Sequence, residues 1–110
     1  MMQRGDIVLC CVKGPYSGKP RPAVVVQSNE VSANFQSVTL CPITSCSVVN
    51  ADSFRVAITP GKINQLKKPS FVMVDKIGTY PRSSLRLTAG TLSKAVMKKL
   101  DVALQGWLQL

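Results

Sequence analysis

Histidine is absent from the 110 residues. That absence removes the usual general acid/base near neutral pH and the commonest metal ligand, and with them Ser-His-Asp and Cys-His triads. Acids are nearly as scarce: Asp6, Glu30, Asp52, Asp75 and Asp101 stand against fourteen Lys and Arg, leaving a net charge of +9. Five carboxylates cannot neutralise that excess internally, so an anionic partner is expected. Aromatic residues make up only 5% of the chain and form no cluster, which weighs against a stacking platform as the whole basis of nucleic-acid binding. No apolar run approaches the roughly 20 residues of a membrane span. No basic-then-apolar leader ending in small residues signals export, so a soluble, cytoplasmic protein without membrane contact is expected. Cys10, Cys11, Cys41 and Cys46 are spaced by one, thirty and five positions, which fits neither zinc knuckles nor a thioredoxin motif. Reduced thiols are the simplest reading, with no metal and no cofactor.

What is present is an ordinary globular composition, 45% apolar and 17% charged. A chain of this length buries roughly two thirds of its unfolded surface, enough for one core and a single domain over 1–110. Asp6 to Val12 reads as a first strand, stopped by Lys13-Gly14-Pro15. Gly14 to Pro22, rich in Gly and Pro, reads as an exposed loop of restricted backbone. Ala23 to Gln27 is a continuous apolar run, as in a strand buried on both faces. Ser37 to Cys41 alternates as a half-buried strand; Pro42 closes it and delivers Ile43-Thr44-Ser45 to the rim. Phe54 to Ile58 and Phe71 to Val74 give strands four and five, the last reaching Asp75-Lys76-Ile77. Between them, Lys62 to Lys68 holds three Lys and no acid, most simply a solvated loop, with contact to RNA or DNA as the alternative. Leu92, Val96, Leu100, Ala103, Leu104 and Trp107 recur at helical spacing from a Thr91 or Ser93 cap, with Lys94, Lys98, Lys99 and Asp101 on the wet face. Five short strands followed by a helix predict a mainly β (α+β) fold, a small antiparallel barrel capped by the helix.

Arg, Lys, hydroxyls and backbone donors are the palette of a phosphate site. Arginine offers a planar fork that stays protonated and meets two phosphate oxygens at once. Arg21 stands out because Pro20 and Pro22 stiffen the backbone on both sides and the buried run anchors it; the plainer reading is one more solvated base. Thr44 and Ser45 set two hydroxyls where they can donate to an oxyanion, although turn capping explains them too. Asp75 beside Lys76 fits a structural salt bridge equally well. Phe54 and Tyr80 can stack on bases, or simply pack.

Four pieces in order, Arg4-Gly5-Asp6-Ile7-Val8, Lys19-Pro20-Arg21-Pro22 with Ala23 to Asn29, Pro42-Ile43-Thr44-Ser45, and Val74-Asp75-Lys76-Ile77, resemble the MazF/PemK toxins over nearly the whole chain. The resemblance implies a cytosolic endoribonuclease of a type II toxin–antitoxin pair with an SH3-like barrel. It implies a homodimer, single-stranded RNA as substrate, a small acidic antitoxin as partner, and operator DNA reached only through that antitoxin. It places the family's catalytic arginine at Arg21 and its catalytic threonine at Thr44, and puts RNA contacts at Ser17, Lys19, Ser45, Phe54, Asp75 and Lys76. Two departures stand out. Gly14 to Pro20 is shorter than the usual first loop and lacks its Glu, and Gly78-Thr79-Tyr80-Pro81 replaces the usual Arg-Thr-Ile-Asp, losing one basic contact for which Arg82 is the substitute at hand. Cleavage by attack of a ribose 2′-oxygen on the adjacent phosphorus needs neither metal nor histidine if fixed donors stabilise the phosphorane. Arg21, Asp75 and solvent all stay open as acceptor of the 2′-proton. A gyrase-poisoning toxin of the CcdB type on the same barrel, and a non-catalytic RNA-binding barrel, are the competing readings.

Overall fold

The computed structural model describes residues 2–11, 19–30, 35–45 and 54–110. Among them lie β1 (Asp6–Cys10), β2 (Arg21–Val25), β3 (Ser37–Thr44), β4 (Arg55–Ile58), β5 (Ser70–Met73), β6 (Gly78–Pro81), β7 (Leu85–Thr91) and α1 (Lys94–Leu108). All pairings are antiparallel, in the order β4-β5-β3-β2-β1-β7, and β6 pairs with β3. β4 and β7 do not meet among the described residues, so the sheet is a barrel-like layer left open.

Seven strands replace the five expected. β6 and β7 escape a pattern reading because Gly78, Pro81 and Gly90 punctuate them like turns. Gly90 is needed as such: a Cβ there would run into the backbone carbonyl of Asn64. β2 begins at Arg21 instead of Ala23, and β3 continues through Pro42 to Thr44 instead of stopping at Cys41. β3 tolerates the proline because it changes partner there. Its residues 37–40 pair with β6 and 43–44 with β5, while Thr39 accepts from Val26 N–H on the β2 side. Alternation then aims the Pro42 nitrogen at the other edge, in the gap between β6 and β5, where no ladder donor is required.

β2 is buried on both faces as its composition demands, with Ala23, Val24, Val25 and Val26 all inside. Val24 and Val26 join Ile7, Cys41, Ile43, Val56, Val72 and Leu100 in a core beneath α1; Ala23 and Val25 join Val8, Val38, Leu40 and Leu85 in a second core on the opposite face. Ser93 caps α1 by accepting from Val96 N–H at 3.2 Å. Val96, Ala103 and Leu104 pack on the first core, whereas Trp107, expected on the same stripe, is 43% exposed. The amino-terminal motif fastens the helix to the sheet: Gly5 sits at φ 96, where a side chain is strained, and accepts from Leu92 N–H and Thr91 Oγ1. Arg4 donates to the Val26 carbonyl and pairs with Asp101 on α1. Among the described residues no helix is long and apolar enough to cross a membrane.

Candidate active site

The register of β2 on β3 sets Ala23 opposite Pro42 and Val25 opposite Leu40. Carried two residues further, the same register sets Arg21 opposite Thr44, and residues facing each other across an antiparallel pair share a sheet face. On the far side of β3, Thr44 faces Phe71, and Met73 faces Arg55 on β4. Four adjacent strands therefore turn one face toward a cleft of about 520 Å³, a volume in the range of small-ligand sites. Arg21, Arg55 and Lys76 supply its positive charge, Thr44, Ser45 and Ser70 its hydroxyls, and Pro22, Pro42 and Met73 its apolar walls. Arg21 is exposed, Thr44 half-buried and Ser45 exposed. Ser70 is buried and donates to the Lys68 carbonyl at 2.9 Å.

Of the residues singled out in the sequence, Arg21, Thr44, Ser45 and Lys76 thus come together. Thr44 is the last residue of β3 and not beyond its end, so its position is fixed by the ladder more firmly than a rim loop would fix it. Asp75 lies in the single 3-10 turn Val74–Lys76 after β5 and accepts a two-pronged contact from Arg55, Nε to Oδ1 at 2.9 Å and Nη2 to Oδ2 at 3.2 Å. The Arg55 guanidinium holds the Asp75 carboxyl below its usual range, despite some opposition from burial. Such an acid is a weak proton acceptor.

Phe54 sits elsewhere. Its ring meets Trp107 edge-on at 5.1 Å, beside a second groove lined by Val56, Ala57, Lys99 and Val102 between β4 and α1. Tyr80 packs on the second core, and Arg82 donates to the Phe35 carbonyl at 3.0 Å instead of lining the cleft. Lys19 is exposed just before β2. Ser17 lies outside the described residues. The Lys62–Lys68 loop is held by Asn64, whose side chain bonds Gly61 N–H, Leu66 N–H and the Thr59 carbonyl, with all three lysines exposed.

Arg55 and Ser70 are cleft residues that the sequence reading passed over. In Phe54-Arg55-Val56-Ala57-Ile58 the alternation marks Arg55 only as outward-facing; the missing signal was Asp75, twenty positions later. Among the described residues no three Cys, Asp or Glu gather, and a cleft so charged suits an anion better than a metal cation.

Residues 3–108 match the family model for the PemK-like, MazF-like toxin of type II toxin–antitoxin systems. The chain belongs to this family. A curated protein of Mycolicibacterium smegmatis, named "Probable endoribonuclease MazF", is 40% identical over 103 residues, 94% of this chain and 93% of that protein. Among solved structures, an endoribonuclease in complex with its cognate antitoxin from a mycobacterial species superposes with a TM-score of 0.82 at 24% identity, covering 100% of this chain and 97% of the other. The Mycobacterium tuberculosis toxin MazF-mt6 gives 0.77 at 25%, covering 96% and 97%. A MazE–MazF complex of Deinococcus radiodurans gives 0.78 at 19%, covering 98% and 96%. At the lower identities the likeness establishes the fold, and it is the MazF fold that carries Arg21 and Thr44 on neighbouring strands here.

Proposed function

We infer that this MazF-family endoribonuclease cuts single-stranded RNA by 2′-oxygen attack on the adjacent phosphorus, with the 5′-oxygen leaving. The observation that carries the reading is the pairing of a fork donor on β2 with a hydroxyl on β3 over one cationic cleft. Both groups can hold non-bridging oxygens as their charge grows, and donors fixed on a sheet need little reorganisation as they do so. With histidine absent, transition-state stabilisation has to do most of the work. Asp75 is engaged by Arg55, which lowers its proton affinity, and Arg21 serves as a protonated fork donor, which favours solvent as acceptor of the 2′-proton. Ser45 and Lys76 contact the flanking RNA, and Lys19 and Ser17 add further RNA contacts.

The whole chain, 1–110, acts as one toxin domain in the cytoplasm, as a homodimer. A small acidic antitoxin is its natural antagonist, since a +9 surface attracts a polyanionic tail that can cover Arg21; operator DNA is contacted only through that partner. Such a complex should weaken steeply with salt and exclude RNA, and a ternary complex binding RNA at full affinity would reject occlusion. The enzymatic reading is tested on a long unstructured RNA in excess chelator: discrete fragments should appear with a 2′,3′-cyclic phosphate upstream and a 5′-hydroxyl downstream. Cleavage at a single 2′-deoxy position placed at the cut site would overturn the mechanism, because the nucleophile would be missing.

A further inference from the structure

We propose that Arg55, aimed by the two-pronged grip of Asp75, is a substrate-contacting cation that holds a phosphate flanking the scissile one. The proposal rests on the endoribonuclease reading and extends it to a residue outside the Arg21–Thr44 pair. Arg55 lies on β4, three strand spacings from Arg21 on β2, which is roughly 14 Å across the sheet. Both nevertheless line the same cleft. The Arg55 side chain is only 10% exposed and the Asp75 side chain 27%, so the pair is partly withdrawn from solvent. A surface lysine waving over the cleft would be cheap; a largely buried guanidinium with its own counter-ion is a placed group.

The grip has a directional consequence. Asp75 engages the Nε and Nη2 edge of the guanidinium, and a planar fork so engaged presents its remaining Nη1 edge on the opposite side. That leaves N–H groups to meet an oxyanion while the net charge of the pair, with Lys76 next in the chain, stays positive. The separation from Arg21 argues that the two arginines serve different phosphates: Arg21 opposite Thr44 takes the reacting one, and Arg55 one of its neighbours. A contact of the second kind is equally strong before and during reaction, so it belongs in KM and not in kcat.

The test uses the full-length toxin, with Arg55→Gln, Asp75→Asn and the double variant, and an RNA that is uncleavable through one 2′-deoxy position. Affinity is read against salt, cleavage as kcat and KM, and folding by thermal melting. Arg55→Gln is expected to raise KM about tenfold, the size of one lost charge-assisted contact, with kcat within twofold. The logarithmic salt slope should fall by about 0.7, one phosphate contact on a single strand. Asp75→Asn should keep the slope, since Arg55 retains its charge, while KM rises severalfold because the fork is no longer aimed.

The double variant guards against a simple folding defect, as it removes the pair without leaving a lone buried charge. If it melts near the parent and keeps the parent's KM and salt slope, Arg55 and Asp75 are only a structural bridge and the proposal fails. It fails equally if kcat falls while KM holds, which would put Arg55 on the reacting phosphate. A parent toxin that neither cuts nor binds RNA would instead sink the underlying reading, an outcome distinct from both.

Discussion

Replacing Arg21 with lysine separates charge from geometry at the centre of the cleft. Lysine keeps the positive charge but gives up the planar pair of N–H groups that matches two phosphate oxygens. Arg21 is exposed, is the first residue of β2, and lies opposite Cys10 of β1, in a backbone stiffened by Pro20 and Pro22. Nothing in the two cores depends on its side chain. An exposed substitution of this kind shifts stability by no more than about 0.5 kcal/mol, or about 2 °C in Tm for a chain of this size. The catalytic loss should be far larger: removing one preorganised donor at a developing oxyanion costs on the order of a hundred- to a thousandfold, about 2.7–4 kcal/mol. The assay is single-turnover cleavage with enzyme in excess, beside thermal melting and salt-dependent binding to an uncleavable RNA. Arg21→Lys should bind with an unchanged salt slope and cut very slowly. A near-normal rate would show that Arg21 merely attracts RNA, and that the group stabilising the phosphorane lies elsewhere.

Thr44→Val, nearly isosteric but without the hydroxyl, should slow single-turnover cleavage much more than it weakens binding; equal losses in both would make Thr44 a binding residue. Burial pushes the Cys41 thiol up to about 12, so at pH 8 iodoacetamide should leave Cys41 unmodified until the chain is unfolded. The same shift raises the folded value above the unfolded one, so Cys41 favours the fold below about pH 9 and that contribution is lost as pH climbs toward 12, which melting across this range would register. Asp75 has the opposite sign. Its folded value is lowered by Arg55, so the pair stabilises the fold above the ordinary carboxylate range and the benefit drains away as pH falls through it. Asp75→Asn should flatten that part of the acid limb, and an unchanged acid limb would mean that the pair adds nothing to stability.

How much of this was legible in the sequence depended on how far apart the cooperating residues lie. Ala23 to Val26 announced a two-faced strand because burial on both sides leaves a continuous apolar run, and the structure bears that out. The helix was equally plain, since a period of 3.6 and a serine cap are local signals. β6 and β7 were not, because Gly78, Pro81 and Gly90 read as turn signals, and the one at Gly90 is there for a tertiary reason: its position closes against the Asn64 carbonyl, a neighbour 26 positions away. No local pattern records such a contact. Pro42 misled in the same manner; it looked like a stop, and only the switch of β3 from β6 to β5 shows why the strand runs on to Thr44.

The cleft divides along the same line. Arg21 and Thr44 could be named because their motifs resemble a family's, yet what brings them together is the β2–β3 register, in which residue numbers across the pair sum to a constant. Ala23 opposite Pro42 fixes that constant, and Arg21 opposite Thr44 then follows. Shifting either strand by a single residue would turn one of the two side chains to the opposite face. The apolar run of β2, buried on both sides, is what makes such a slip costly. Its core residues therefore do more than stabilise the fold: Val24 against Cys41 and Val25 against Leu40 hold the register that keeps a guanidinium and a hydroxyl on one surface. Arg55 and Asp75 obey a second register, that of β4 on β5, which sets Arg55 beside Met73 and so within reach of a carboxylate two residues further on. In a protein without histidine, this sheet alignment assembles three cations and a hydroxyl over one cleft, and no segment of the chain carries that arrangement by itself.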